Sequence, residues 1–194
     1  MSLTFVYLHG FNSSPESVKA RMLADYLRQY ASDVGFDCPT LPYAPDRAAE
    51  LIATRLGRQS GEIRLIGSSL GGFYATWAAE RFGLPAVLIN PAVHPHRLLP
   101  AYLGPQQNLY TGERYLLTEA HLDALLALEV PSLMPERYWL MVETGDETLD
   151  YREAVDFYAG ARQTVIEGGD HGFQSWGSLL PALLAWGRGE TTDK

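Results

Sequence analysis

The sequence predicts an α/β fold of about six mainly parallel strands, with helices on both faces and a short cap insertion. Three observations carry this expectation. Short continuous apolar runs alternate with longer amphipathic ones, as strands covered on both faces alternate with the helices that cross between them. One proline- and tyrosine-rich stretch, from Pro91 to Pro135, interrupts that rhythm. The 194 residues are 46% hydrophobic and only 20% charged, enough to build one sizeable core.

The elements follow in order. Leu3 to Leu8 is a β-prone run of the doubly covered kind. Ser14-Pro15 reads as an N-cap with proline at the first helical position, and Val18, Met22, Leu23, Tyr26, Leu27 and Tyr30 trace one helical face. Phe36 to Leu41 is a weaker strand, and Pro39 and Pro42 place it at a sheet edge. Ala48, Leu51, Ile52 and Leu56 space out as the next helix. Ile63 to Ile66 is a third strand, Leu70 to Phe82 a helix, and Ala86 to Ile89 a fourth strand of buried type. After the insertion, whose one clear helix spans about Thr118 to Leu128, Tyr138 to Val142 and Thr164 to Ile166 complete the strands. The last helix carries Trp176, Leu179, Leu180, Leu183 and Leu184. Pro181 predicts a kink or a late start in it, and Gly187 its stop. The tail from Gly189 to Lys194 is polar and expected to fray.

Composition excludes several classes. A formal charge of −8 argues against nucleic-acid binding and against a polybasic membrane anchor. No apolar run reaches the roughly 18 residues of a membrane span, and the first residues show no basic region followed by a long apolar one, so no secretion signal is expected. The single cysteine, Cys38, allows no intramolecular disulfide and no cysteine-built zinc site. The expectation is one cytoplasmic domain over residues 1–194, with the cap at about 91–136.

The chemistry concentrates in Gly67-Ser68-Ser69-Leu70-Gly71, a G-x-S-x-G pattern between a strand and a helix. That context lifts the central serine hydroxyl above the sheet on a strained turn, so Ser69 is the candidate nucleophile. A serine hydroxyl needs a base. His171, in the glycine-rich loop after the last strand, stands where the base should stand. Asp146, after Val142-Glu143-Thr144-Gly145, is the favoured acid; Glu143, Asp150 and Asp170 are its rivals, and Asp150 fits better as a helix start. The oxyanion donors are the amides of Leu70, directly after the nucleophile, and Phe11, in the loop after the first strand. His9 reads as a brace of that loop and, with Tyr102 and Tyr110, as a residue bordering the substrate.

With these residues in order, the sequence resembles the α/β-hydrolase superfamily, and within it the small YqiA/YcfP-like esterases. The resemblance rests on Tyr7-Leu8-His9-Gly10-Phe11-Asn12-Ser13-Ser14-Pro15, Gly67 to Ala75, Asn90-Pro91-Ala92-Val93, Thr144-Gly145-Asp146-Glu147 and Gly169-Asp170-His171, over about residues 3 to 187. It implies a serine esterase with Ser69, Asp146 and His171 as its triad. The implied substrates are small-molecule esters or thioesters with short acyl chains, and no metal or organic cofactor is implied. Peptide, lactone or C–C cleavage on the same scaffold, and a non-catalytic binding protein, stay open as alternatives.

Other residues receive plainer readings. Cys38 is expected to be a structural thiol. His94 and His96 are expected to border the cap and not to bind metal, because no carboxylate-rich segment partners them in sequence. Tyr115 either contacts substrate or packs the cap, and Leu98, Leu99 and Leu103 are candidate acyl-pocket walls.

Overall fold

The computed structural model describes residues 2–190. The first half runs β1 (Leu3–Leu8), α1 (Val18–Tyr30), β2 (Gly35–Asp37), α2 (Pro45–Arg58), β3 (Glu62–Ser68), α3 (Leu70–Phe82) and β4 (Ala86–Ile89). The cap follows, with α4 (Pro95–Leu98), a 3-10 turn (Leu99–Tyr102), β5 (Gly104–Gln107), β6 (Arg114–Leu117) and α5 (Glu119–Ala127). A second 3-10 turn (Pro135–Arg137) leads into β7 (Tyr138–Glu143), α6 (Tyr151–Phe157), β8 (Arg162–Ile166) and α7 (Trp176–Gly187).

Six strands form one sheet in the order β2-β1-β3-β4-β7-β8, with every neighbouring pair parallel. Side chains alternate across it. Val6, Leu8, Leu65, Leu88 and Leu140 pack with α2, α3 and α6 on one face. Phe5, Tyr7, Ile66, Val87 and Met141 pack with α1 and α7 on the other. Because both faces are covered, the central strands carry apolar residues at almost every position, which is what made them readable.

Local readings differ at the edges. The first helix begins at Val18, not at Ser14. The Ser14 hydroxyl instead accepts from the Glu16 amide at 3.0 Å and its carbonyl accepts from the Ser17 amide at 3.1 Å, a turn that competes with helix. The edge strand β2 is shorter than expected and ends before Pro39, which has no amide to donate. Helix α7 starts at Trp176, ahead of Pro181, because Trp176 is buried and its indole N–H bonds the Lys19 carbonyl at 2.9 Å. That helix ends at Gly187, as expected, but the left-handed turn falls two residues on, at Gly189. Gly187 lies flat against Phe5, where a Cβ would collide with the ring. The amides of Gly189 and Glu190 bond back to Trp186 and Ala185, and residues 191–194 of the expected frayed tail lie outside the described residues. The insertion also holds more structure than its sequence suggests, notably the β5–β6 hairpin.

Candidate active site

The turn from β3 into α3 leaves Ser69 at φ 55° and ψ −123°, a left-handed conformation for a residue with a side chain. Such backbone typically costs about 1–3 kcal/mol and persists only where its surroundings dictate it. Here the Ser69 amide donates to the Ile89 carbonyl at 3.0 Å, and the Ser69 carbonyl accepts from Gly72 at 2.9 Å and Ala92 at 3.0 Å. The glycines of the motif are required by close approach. A Cβ at Gly67 would collide with the Gly71 carbonyl, and one at Gly71 with the Leu8 carbonyl.

Three residues from separate loops meet above the carboxyl ends of the strands. The Ser69 hydroxyl lies 3.0 Å from His171 Nε2, and His171 Nδ1 lies 2.8 Å from Asp146 Oδ2. A carboxylate can only accept, so His171 Nδ1–H donates to Asp146 Oδ2, and Nε2 is left with a lone pair facing the serine hydroxyl. The Asp146 side chain is 1% exposed, and its other oxygen accepts from the amides of Thr148 at 2.8 Å and Leu149 at 2.9 Å. Burial pushes the Asp146 carboxyl up, but the bonds from His171, Leu149 and Thr148 outweigh it and hold the group below the ordinary carboxylate range.

The rivals of Asp146 have other work. Asp150 caps α6 by accepting from the Arg152 amide at 3.0 Å. Asp170 accepts from the Gln174 side chain at 2.7 Å. Glu143 is fully buried and accepts from three amides of the histidine loop, those of Asp170 at 3.0 Å, Gln174 at 2.9 Å and Ser175 at 2.8 Å. Burial pushes its pKa up, but the bonds from Ser175, Asp170 and Gln174 prevail and keep it ionised. Glu147 accepts from the His171 amide at 3.0 Å. Asn90 ties the Glu143 amide, at 3.0 Å, to the Asp170 carbonyl, also at 3.0 Å. Sequence reasoning missed Glu143, Glu147 and Asn90 as supports of His171. A buried acid at a strand end is the signal that could have revealed the first.

The loop after β1 approaches Ser69 closely because Gly10 has no side chain: a Cβ there would lie 3.2 Å from the serine Cβ. The amides of Phe11 and Leu70 have no acceptor among the described residues. His9 is 4% exposed. Its Nδ1–H donates to the Gly10 carbonyl at 3.1 Å, and its Nε2 accepts from the Leu41 amide at 3.0 Å. Both nitrogens are thereby committed to the backbone, so His9 braces the loop and offers no polar contact to a substrate. Burial pulls its pKa below the ordinary imidazole value, against an opposing pull from the Gly10 bond.

Two clefts open on Ser69. One, of about 280 Å³, is apolar, with Leu70, Pro95, Leu98, Leu99, Tyr102 and Leu149 among its walls. The other, of about 340 Å³, is bordered by Ser13, Ser17, Lys19, Tyr110 and His171. Tyr102 thus lines the apolar cleft and Tyr110 the other. Leu98 and Leu99 line the apolar cleft and Leu103 does not. Tyr115 packs the cap: it stacks on Tyr43 with ring centroids 4.2 Å apart and donates to Asn12 Oδ1 at 2.7 Å. Lys19, which sequence reasoning also passed over, donates to the Gly172 carbonyl beside His171 at 2.9 Å.

Cys38 is half-buried, and burial pushes its thiol up to about 12, so it is not a thiolate. The expectation that His94 and His96 lack an acidic partner is corrected. Glu129, at the far end of the cap, reaches both rings, with Oε1 2.8 Å from each Nδ1.

Solved structures share the fold of this chain. The chain is similar in structure to Est1E from Butyrivibrio proteoclasticus, with TM-score 0.75, 14% identity and coverage of 97% of this chain and 89% of that one. It is similar to mouse alpha/beta hydrolase domain-containing protein 10, with TM-score 0.71, 16% identity and coverage of 95% and 88%. It is also similar to a Paleococcus ferrophilus monoacylglycerol lipase, with TM-score 0.68, 16% identity and coverage of 97% and 95%. At these identities the likeness establishes the α/β-hydrolase fold. No helix among the described residues is long and apolar enough to cross a membrane. The profile of the uncharacterised protein family UPF0227 matches residues 4–187, nearly the full span of the sheet and its helices, and the chain belongs to that family.

Proposed function

We propose that this protein is a serine hydrolase of short-chain carboxylic esters or thioesters, acting through an acyl-enzyme on Ser69. The observation that carries the reading is the relay from Ser69 Oγ through His171 to Asp146, at 3.0 Å and 2.8 Å, opening on an apolar cleft. Nε2 of His171 takes the hydroxyl proton as Oγ bonds to the substrate carbonyl carbon, and the carbonyl electron pair moves onto oxygen. The amides of Phe11 and Leu70 meet that developing charge, a contribution of several kcal/mol in such sites. The tetrahedral centre collapses, the bond to the alcohol or thiol breaks, and the leaving group takes the proton from His171. Water then repeats the attack, giving its proton to Nε2, and the carboxylic acid departs as Oγ recovers the proton. The acyl group occupies the apolar cleft beside Leu98, Leu99 and Tyr102, and the alcohol lies towards Tyr110. A structure of Est1E with ferulic acid bound offers a precedent for a carboxylic acid in this fold.

The test is Ser69→Ala. Hydrolysis of p-nitrophenyl butyrate should fall by at least about 10³-fold with an unchanged near-UV circular dichroism spectrum. A fluorophosphonate probe should label the unaltered chain at Ser69 alone. Turnover surviving the substitution, or label elsewhere, would overturn the reading.

A further inference from the structure

We infer that His94, His96 and Glu129 form a binding site for one divalent transition ion of the zinc type, which ties the two ends of the cap together. The site uses none of the residues around Ser69. One ligand atom from each of the three residues lies within 4.8 Å of the others. The residues come from opposite ends of the insertion: His94 and His96 flank Pro95 at the start of α4, and Glu129 follows α5.

The contacts are not those of an ordinary ion pair. His94 Nδ1 makes a well-directed hydrogen bond to Glu129 Oε1 at 2.8 Å. His96 Nδ1 is just as close to the same oxygen, yet this buried nitrogen has no hydrogen-bond partner. Its proton or lone pair therefore points to the side of the line joining the two atoms. Metal coordination produces this geometry, because the ion sits at the apex of the nitrogen–metal–oxygen triangle and not between the donors. An ion about 2.1 Å from nitrogen and oxygen spans donors now 2.8 Å apart once they separate by about half an ångström.

The donor set selects the ion. Two neutral imidazoles and one carboxylate suit zinc, cobalt or nickel, whereas calcium and magnesium require oxygen ligands. A cavity of about 10 Å³ adjoins the cluster, lined by Thr76, His94, Glu129 and Tyr158 among others. That is roughly the space of one water, which would serve as a fourth ligand and leaves no room for a substrate. The ring of Phe157, from α6, packs edge-on against His94 with centroids 5.5 Å apart and backs the site with apolar surface. The role is that of a tie. Pro95 and Leu98 wall the apolar cleft, so an ion joining His94 and His96 to Glu129 holds that wall against α5.

Cobalt titration into the full-length, EDTA-stripped protein tests the inference. One Co²⁺ per chain should bind, with the visible absorption of a four- or five-coordinate ion, and Zn²⁺ should displace it. His96→Ala and the near-isosteric Glu129→Gln should each weaken binding at least tenfold, while His171→Asn should still bind. Turnover of p-nitrophenyl butyrate should persist in Glu129→Gln. Absence of stoichiometric binding, equal affinity in Glu129→Gln, or loss of binding in His171→Asn would overturn the site. If His96→Ala does not fold, the affinity of Glu129→Gln decides between the two outcomes.

Discussion

His9 and Glu143 are buried beside the candidate catalytic loops and bear on how the protein responds to pH and substitution. His9 is held neutral, since its Nε2 accepts from Leu41. A base whose folded pKa is lowered gives stability that is present above its unfolded value of 6.5 and is lost as pH falls towards the folded one. The urea midpoint should therefore drop between pH 7 and pH 5, and His9→Gln should flatten that slope. The carboxylates act lower on the scale. Glu143 and Asp146 have depressed pKa values, so their contribution is present above the ordinary carboxylate range and is lost below it. Glu143→Gln replaces an acceptor of three amides by a group with one acceptor oxygen. It should cost about 3 kcal/mol in denaturant unfolding and also slow turnover, because the loop it holds carries His171. Asp146→Asn should keep the fold and lower kcat about 10³- to 10⁴-fold through loss of the Nδ1–H tautomer, measured on p-nitrophenyl butyrate.

At the level of elements, the crossing of α3 over β1 is the tightest constraint. Gly71→Ala would drive a methyl group into the Leu8 carbonyl, and neither backbone can retreat without disturbing the sheet. Soluble yield should collapse, or the melting temperature should fall far more than for Gly57→Ala, where a Cβ meets nothing. The cap is held differently. Thr118 and His121 form a capping box at the start of α5. Thr118→Ala should cost that helix about 1 kcal/mol. The loss should show as faster amide exchange in 119–127. The hairpin β5–β6 reaches the loop after β1 through Asn12, which donates to Gln106 at 3.1 Å and accepts from Tyr115 at 2.7 Å. The cap thus helps set the position of the Phe11 amide. Nothing in the spacing of Asn12, Gln106 and Tyr115 announces that contact.

On the scale of the whole molecule, the cap leaves only a small apolar cleft beside Ser69. The apolar cleft of about 280 Å³ lies just below the usual 300–1,000 Å³ of ligand pockets. In a series of p-nitrophenyl esters, kcat/KM should peak at short acyl chains and decline towards laurate. The alternation of strands and helices, and the order of Ser69, Asp146 and His171, were legible because periodicity and strand-end placement are local properties of the chain. So was the edge position of β2, from its prolines. Where the reading failed, the deciding contact was distant. The left-handed turn expected at Gly187 falls at Gly189, because Gly187 packs on Phe5, and Glu143 supports the histidine loop, a role its place in the sequence did not announce. Glu129 stands beside His94 and His96 only because the insertion folds back on itself. The sequence alone determined the α/β architecture and the candidate nucleophile, base and acid, since burial on both faces and a glycine-flanked turn leave few residue choices. Tertiary structure decided which buried polar groups support that site and which cap residues meet, because those pairings depend on how loops far apart in the chain are brought to one end of the sheet.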